Sequence, residues 1–168
     1  MRVIILTTDT PHHLYFVKEV SGFFNITGIA VESRVLKASF KTHHSFEDER
    51  NSYEIAELLK KEKVFFTDFS KTKVFNNIND HECFRFVKDL KPDVIITFGT
   101  GIIKKNLISL CKDGFINLHG GDPEYYRGLD SHLWAIYNRE FEYLSVTLHR
   151  LNLSLDDGEI IEKDLIKL

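Results

Sequence analysis

Short apolar runs that alternate with stretches of helical spacing constrain this chain more than any other feature. Val3–Leu6, Ile26–Val31 and Asp93–Phe98 are runs rich in Val and Ile. Such runs read as strands buried on both faces, as in a parallel sheet. The first ends in Thr7-Thr8-Asp9-Thr10-Pro11, hydroxyl and acid caps followed by Pro, which is a helix start. Leu14, Val17, Val20 and Phe24 then recur at helical spacing, predicting a helix over 12–24. Further helices are expected over 53–61, 83–90 (closed by Pro92), 103–111 and 131–137. Strands are expected over 63–66, 115–118 and 144–151, with a last edge strand over 159–166, and 71–79 reads as loop. The alternation predicts an α/β fold: a Rossmann-like, mostly parallel twisted sheet with helices on both faces. Ligands in such sheets bind beyond the carboxyl ends of the strands, where strand order reverses. Thr97–Gly101 and Asn117–Gly121 lie at two such ends.

The stretch from Gly114 to Gly158 carries the chemistry. Phe115-Ile116-Asn117-Leu118-His119 reads as a strand ending in Gly120-Gly121, and Val146–Leu155 runs into Asp156-Asp157-Gly158. Asn117 and His119 are two apart, so a strand projects both to the same side. An amide donor, a proton carrier and an orienting acid are thereby available at element ends. Taken alone, Asp-Asp-Gly is also good turn chemistry. A single His at a strand end is usually a satisfied surface or cap residue, but glycines beside it allow a ligand close to the backbone.

Composition narrows the alternatives. One domain fits 168 residues, and the net charge of −3 offers no footprint for nucleic acid, which counts against a tRNA substrate. Cys83 and Cys111 lack metal-type spacing and read as reduced, buried thiols. The apolar start is too short for a secretory signal, and no run approaches the roughly 20 residues that span a bilayer. A cytoplasmic protein without membrane partners is expected. The segment 33–52 is polar, with Lys37, Lys41, His43 and His44. His12-His13 and His43-His44 are adjacent pairs whose side chains should diverge, so no metal site is expected, and both pairs read as solvated loop. Either pair, His12-His13 or His43-His44, could alternatively contact a nucleotide or phosphate. Trp134 reads as packed core. Tyr125 and Tyr126 read either as a stacking surface or as cover for the loop.

The ordered set Asn117-Leu118-His119, Pro123, Tyr126-Arg127-Gly128, Trp134-Ala135-Ile136, Val146-Thr147 and Asp156-Asp157-Gly158 resembles the catalytic half of the folate-dependent formyltransferases. The likeness is detailed over 93–160 and general before that. It implies a single catalytic domain over 1–168, without a C-terminal accessory domain, using 10-formyltetrahydrofolate as formyl donor. By the same resemblance Asn117 is the oxyanion donor, His119 the acid/base and Asp156 the orienting or relay carboxylate. The family's Asp-x-Gly spacing selects Asp156 and leaves Asp157 in the variable position. Gly99, Gly101, Ile102 and Ile103 would present backbone and an apolar wall to the pterin, with Leu153, Ser154 and Leu155 on its other side. For Ile102 and Ile103, helix-start packing is the equal alternative.

The acceptor side would draw on His12, His13, Gly120, Gly121 and Arg127. Arg127 either meets a phosphate or orders its loop, and the resemblance favours ordering. After the His, Gly120-Gly121-Asp122-Pro123 replaces the Ser-Leu-Leu-Pro type loop of part of the family and looks more like the amino-sugar enzymes. The glycinamide ribonucleotide enzymes resemble this chain in size, but they use Gly-rich backbone in the first strand–helix turn, where this chain has Thr7–His13. A nucleotide-linked amino sugar is therefore the expected acceptor, with no nucleic acid and no metal. A homodimer is compatible with this reading. Hydrolysis of the formyl-folate and a non-catalytic binding domain are the alternatives from other classes.

Overall fold

The computed structural model describes residues 1–34 and 47–167. Lys37, Lys41, His43 and His44 lie outside them. The elements are β1 (Val3–Thr8), α1 (Pro11–Ser21), β2 (Ile26–Glu32), α2 (Glu47–Glu57), β3 (Thr72–Phe75), α3 (His81–Asp89), β4 (Val94–Phe98), α4 (Lys105–Ile108), β5 (Phe115–His119), α5 (Ser131–Asn138), β6 (Ser145–Arg150) and β7 (Ile160–Leu165).

The strands form one sheet in the order β3-β2-β1-β4-β5-β6-β7. The first four pairings are parallel, while β5–β6 and β6–β7 are antiparallel. The sheet is therefore mostly parallel, as the alternation predicts. Strand alternation divides the core between its two faces. On one face Ile4, Leu6 and Ala30 pack with Cys83, Phe86 and Val87 of α3 and Leu107 and Ile108 of α4. On the other, Ile5, Ile29 and Val31 pack against Val17 of α1. Consecutive residues of β1 thus serve opposite layers, which explains an unbroken apolar run. No described helix is long and apolar enough to cross a membrane.

Several expectations are corrected. The run 63–66 is not a strand. Phe65 is exposed, and its backbone N–H is taken by the Asp68 carboxylate at 2.8 Å, which starts a 3-10 turn over Phe66–Asp68. The loop expected over 71–79 contains β3, an edge strand with a single buried residue, Phe75. Edge position hides the apolar alternation that announces a strand. Helix α1 stops at Ser21, whose hydroxyl donates to the Lys18 carbonyl at 2.6 Å, leaving Phe23 and Phe24 exposed. Helix α2 ends at Glu57, because Lys60 and Lys61 take left-handed φ values of 50° and 61°. The helix expected over 103–111 keeps only Lys105–Ile108. Trp134 is 45% exposed, edge-on to Tyr137, and is not core.

Candidate active site

The antiparallel pairing of β5 with β6 builds the site. It sets Asn117 opposite His149 and His119 opposite Thr147. The Asn117 amide donates to Nε2 of His149 at 3.0 Å and to Oδ1 of Asp156 at 3.2 Å. Nδ1 of His119 lies 3.6 Å from Oδ2 of Asp156. The Gly128 N–H donates to Oδ2 of the same carboxylate at 2.8 Å. Asn117, His119 and Asp156 therefore converge. Asp157 turns away to pair with Arg127 at 2.6 Å.

Partners fix the proton positions. The Tyr126 carbonyl can only accept, so Nε2 of His119, 3.0 Å from it, carries the hydrogen in the neutral ring. That leaves Nδ1, the nitrogen nearest Asp156, as the basic atom. Likewise Nδ1 of His149 donates to the Arg150 carbonyl at 3.0 Å, and its Nε2 accepts from Asn117. Burial pushes the Asp156 carboxyl upward. The His149 contact, the charge His119 carries when protonated and the Gly128 N–H together outweigh it, and the group ends below the ordinary carboxylate range. An ionised acid thus faces the basic nitrogen of a buried imidazole.

The loop that carries Asp156 is tightly specified. Asp156 itself has a φ of 45°, the left-handed region that non-glycine residues seldom occupy. Two residues on, a Cβ at Gly158 would stand 1.6 Å from the Arg150 carbonyl oxygen, so only glycine lets the loop pass this close to β6. Arg127 orders the facing loop: its Nε donates to the Pro123 carbonyl at 2.7 Å while its guanidinium holds Asp157. Thr147 donates to the Gly121 carbonyl at 2.8 Å, and Lys163 of β7 anchors Asp122 at 2.9 Å. A cavity of about 340 Å³ opens beside Asp156, lined also by Pro123, Glu124, Arg127 and Ile160. Asn117 and His119 lie outside its lining.

The remaining expected residues are placed as follows. Leu153, Ser154 and Leu155 are exposed on the segment before Asp156. Gly99 has a φ of +76°, and a Cβ there would lie 2.0 Å from Nε2 of His13. Gly101 donates its N–H to Glu32 at 2.8 Å. Ile102 is 63% exposed, whereas Ile103 is 3% exposed within the core, so only Ile102 is free to act as a wall. Tyr125 stacks on Tyr143 with centroids 3.7 Å apart, and Tyr126 donates to Glu140.

The His12-His13 pair contradicts the solvated-loop expectation. The rings do not diverge: their centroids are 4.2 Å apart in the first turn of α1. His12 pairs with Glu54 at 2.8 Å, and His13 is buried against Phe98. Burial, with the neighbouring charges of His12 and Arg50, pushes His13 down to about 3. Its Nδ1 faces the Thr8 hydroxyl at 3.1 Å, and its Nε2 is buried without a partner among the described residues.

The sequence motifs do not point to His149. Its signal was available: Ser145, Thr147 and His149 alternate as polar residues on the buried face of one strand. A buried polar stripe calls for partners.

The profile of the Formyl transferase family matches residues 25–168. This chain belongs to the formyl transferase family. Among relatives, it is 32% identical over 116 residues to the bifunctional polymyxin resistance protein ArnA of Wigglesworthia glossinidia brevipalpis, covering 64% of this chain and 18% of that protein. It is 36% identical over 91 residues to the methionyl-tRNA formyltransferase of Clostridium tetani, covering 54% and 29%. The chain thus spans less than a third of the length of these curated relatives. In fold it is similar to phosphoribosylglycinamide formyltransferase from Streptococcus pneumoniae, with a TM-score of 0.66 and 15% identity over 100% of this chain and 84% of that one. It is also similar to a Mycobacterium tuberculosis protein described as a "likely sugar N-formyltransferase", with a TM-score of 0.55 and 18% identity over 99% of this chain and 55% of that one.

Proposed function

We propose that this chain transfers a formyl group from 10-formyltetrahydrofolate to a primary amine of a small acceptor, a nucleotide-linked amino sugar. The observation that carries the reading is the convergence of an amide, an imidazole and an ionised carboxylate at the carboxyl end of β5.

Formyl transfer needs an unprotonated amine, stabilisation of the tetrahedral oxyanion, and movement of one proton from the attacking to the departing nitrogen. His119 accepts that proton at Nδ1 and returns it to the departing nitrogen, with Asp156 stabilising the imidazolium in between. Asn117 supplies N–H to the oxygen that gains charge. Both of its amide hydrogens are engaged, and the longer bond, to Asp156 at 3.2 Å, is the one the formyl oxygen would displace. Oxyanion donors of this type contribute about 10²–10³ in rate. His149 holds the amide in register for this exchange. The donor would lie between the Gly99–Ile102 turn and Leu153–Leu155.

For the acceptor, the support is the Gly120-Gly121-Asp122-Pro123 loop, together with a first strand–helix turn filled by His12 and His13 instead of open Gly-rich backbone. The acceptor groove would then use Gly120, Gly121 and Arg127.

The test is incubation with 10-formyltetrahydrofolate, with and without a panel of nucleotide amino sugars. Acceptor-dependent release of tetrahydrofolate is expected. Equal release without acceptor would replace transfer with hydrolysis, and no release in either arm would leave a binding domain.

A further inference from the structure

The turn after β4 is held in part from within, by a hydroxyl–hydroxyl hydrogen bond of 2.6 Å between Thr97 and Thr100. Gly99 is left-handed, and among the described residues two side chains from other segments, Glu32 and Asn79, engage the backbone beyond it. Glu32, the last residue of β2, reaches across β1. One of its oxygens accepts the Gly101 N–H at 2.8 Å, and the other accepts the Ile78 N–H at 3.2 Å. Asn79, in the connection from β3 to α3, donates to the Ile102 carbonyl at 2.9 Å and accepts from the Lys104 N–H at 2.7 Å. Its second amide hydrogen goes to Asn77 at 3.2 Å, so every polar valence that sets its orientation is committed.

Glu32 has no exposed side-chain surface, and its charged partner is Arg34, 3.3 Å away and partly exposed. A fully buried carboxylate is costly unless hydrogen bonds and a counter-charge satisfy it. A carboxylate accepting backbone N–H groups makes strong, directional bonds. Placing one here fixes Gly101 and leaves Ile102 projecting outward, 63% exposed. The β2 end, the β3–α3 connection and the β4 turn are thereby clamped into one rim at the carboxyl edge of the sheet.

We infer that Glu32 and Asn79 are positioning residues that hold the 99–104 turn in the shape that receives the formyl donor. The inference rests on the formyl-transfer reading above. Neither residue touches the reacting atoms. Their loss should therefore weaken donor binding while leaving acceptor affinity and the chemical step nearly intact.

The experiment measures binding of 5-formyltetrahydrofolate, a reduced folate that does not transfer its formyl group, together with kcat and KM for 10-formyltetrahydrofolate and amide exchange at Gly101 and Lys104. Glu32→Gln puts an NH2 group where one backbone N–H expects an acceptor. Its donor affinity should fall about tenfold, with kcat within about twofold. Asn79→Ala should fall about fivefold and lose exchange protection at Lys104. Arg34→Ala removes the counter-charge but none of the turn's hydrogen bonds, so its cost should appear as a lower urea midpoint while the donor affinity of the folded variant stays within about twofold of the parent. Asn79→Ala alters a half-buried side chain and carries the test should Glu32→Gln fail to fold. Parent-like affinity and exchange in Asn79→Ala and in folded Glu32→Gln would overturn the inference and leave the formyl-transfer reading intact. A parent protein that binds no reduced folate would overturn both.

Discussion

Two groups of imidazoles stand at the carboxyl edge of one sheet, and their surroundings differ. His119 and His149, on β5 and β6, meet an acid, an amide and backbone carbonyls that specify each nitrogen. His13, beyond β1, is packed on Phe98 with one nitrogen unpartnered and its pKa driven down to about 3. Burial is common to both groups. What differs is the carboxylate: Asp156 lies 3.6 Å from both rings of the β5–β6 group, whereas Glu54 pairs with His12 and leaves His13 without an acid among the described residues. An imidazole that must gain and lose a proton near neutrality needs that support.

Removing the supported pair should have the largest effect. His119→Ala and Asp156→Ala are each expected to lower turnover by at least about 10², read from acceptor-dependent release of tetrahydrofolate. Unchanged turnover in either variant would take that residue out of the mechanism. Gly158→Ala comes next. Its methyl group would collide with the Arg150 carbonyl, so the loop must move and carry Asp156 with it. Turnover should drop about tenfold or more, and the urea midpoint should show a loss of roughly 1–3 kcal/mol. A fully active, equally stable Gly158→Ala protein would show that Asp156 does not depend on this close approach.

His13 sharpens the contrast through pH. Its folded value of about 3 lies below the ordinary 6.5, so the unfolded chain takes up the proton first as pH falls. Stability is therefore intact above about 6.5 and declines toward 3, by up to about 1.4 kcal/mol per pH unit from this group. His13→Phe should flatten that interval in urea titrations at successive pH values. A slope unchanged from the parent would mean that His13 titrates normally. Arg127→Ala should have the smallest effect. Its pair with Asp157 is largely exposed, so stability should change by no more than about 1 kcal/mol. Because the side chain also orders the loop facing Asp156, turnover should fall only a few-fold.

The sequence makes the β5 end legible because its information is local. Asn117 and His119 need only strand periodicity to share a side, and the Asp-Asp-Gly turn announces the loop that returns to them. His149 escaped because its role depends on the register between β5 and β6, which no single strand encodes. Glu32 escaped for a related reason. A carboxylate at a strand end reads as solvent-facing until the β4 turn is known to lie against it. The mistaken strand at 63–66 and the overlooked β3 show the same limit. Apolar content favours Val64-Phe65-Phe66, but an Asp68 cap and an edge position decide where the ladder forms. His12 and His13 were misplaced because adjacency suggested divergence, whereas the first turn of α1 folds both rings toward Phe98.

The central claim is that His119 and Asp156 work as one unit on a formyl group, and the most direct measurement is single-turnover transfer by the two single variants and the double variant. Groups that act together are non-additive. The double variant should be no more than a few-fold slower than the worse single. A double variant whose deficit is the product of the two singles, about 10⁴ or more, would contradict the account, because the imidazole and the carboxylate would then be acting independently.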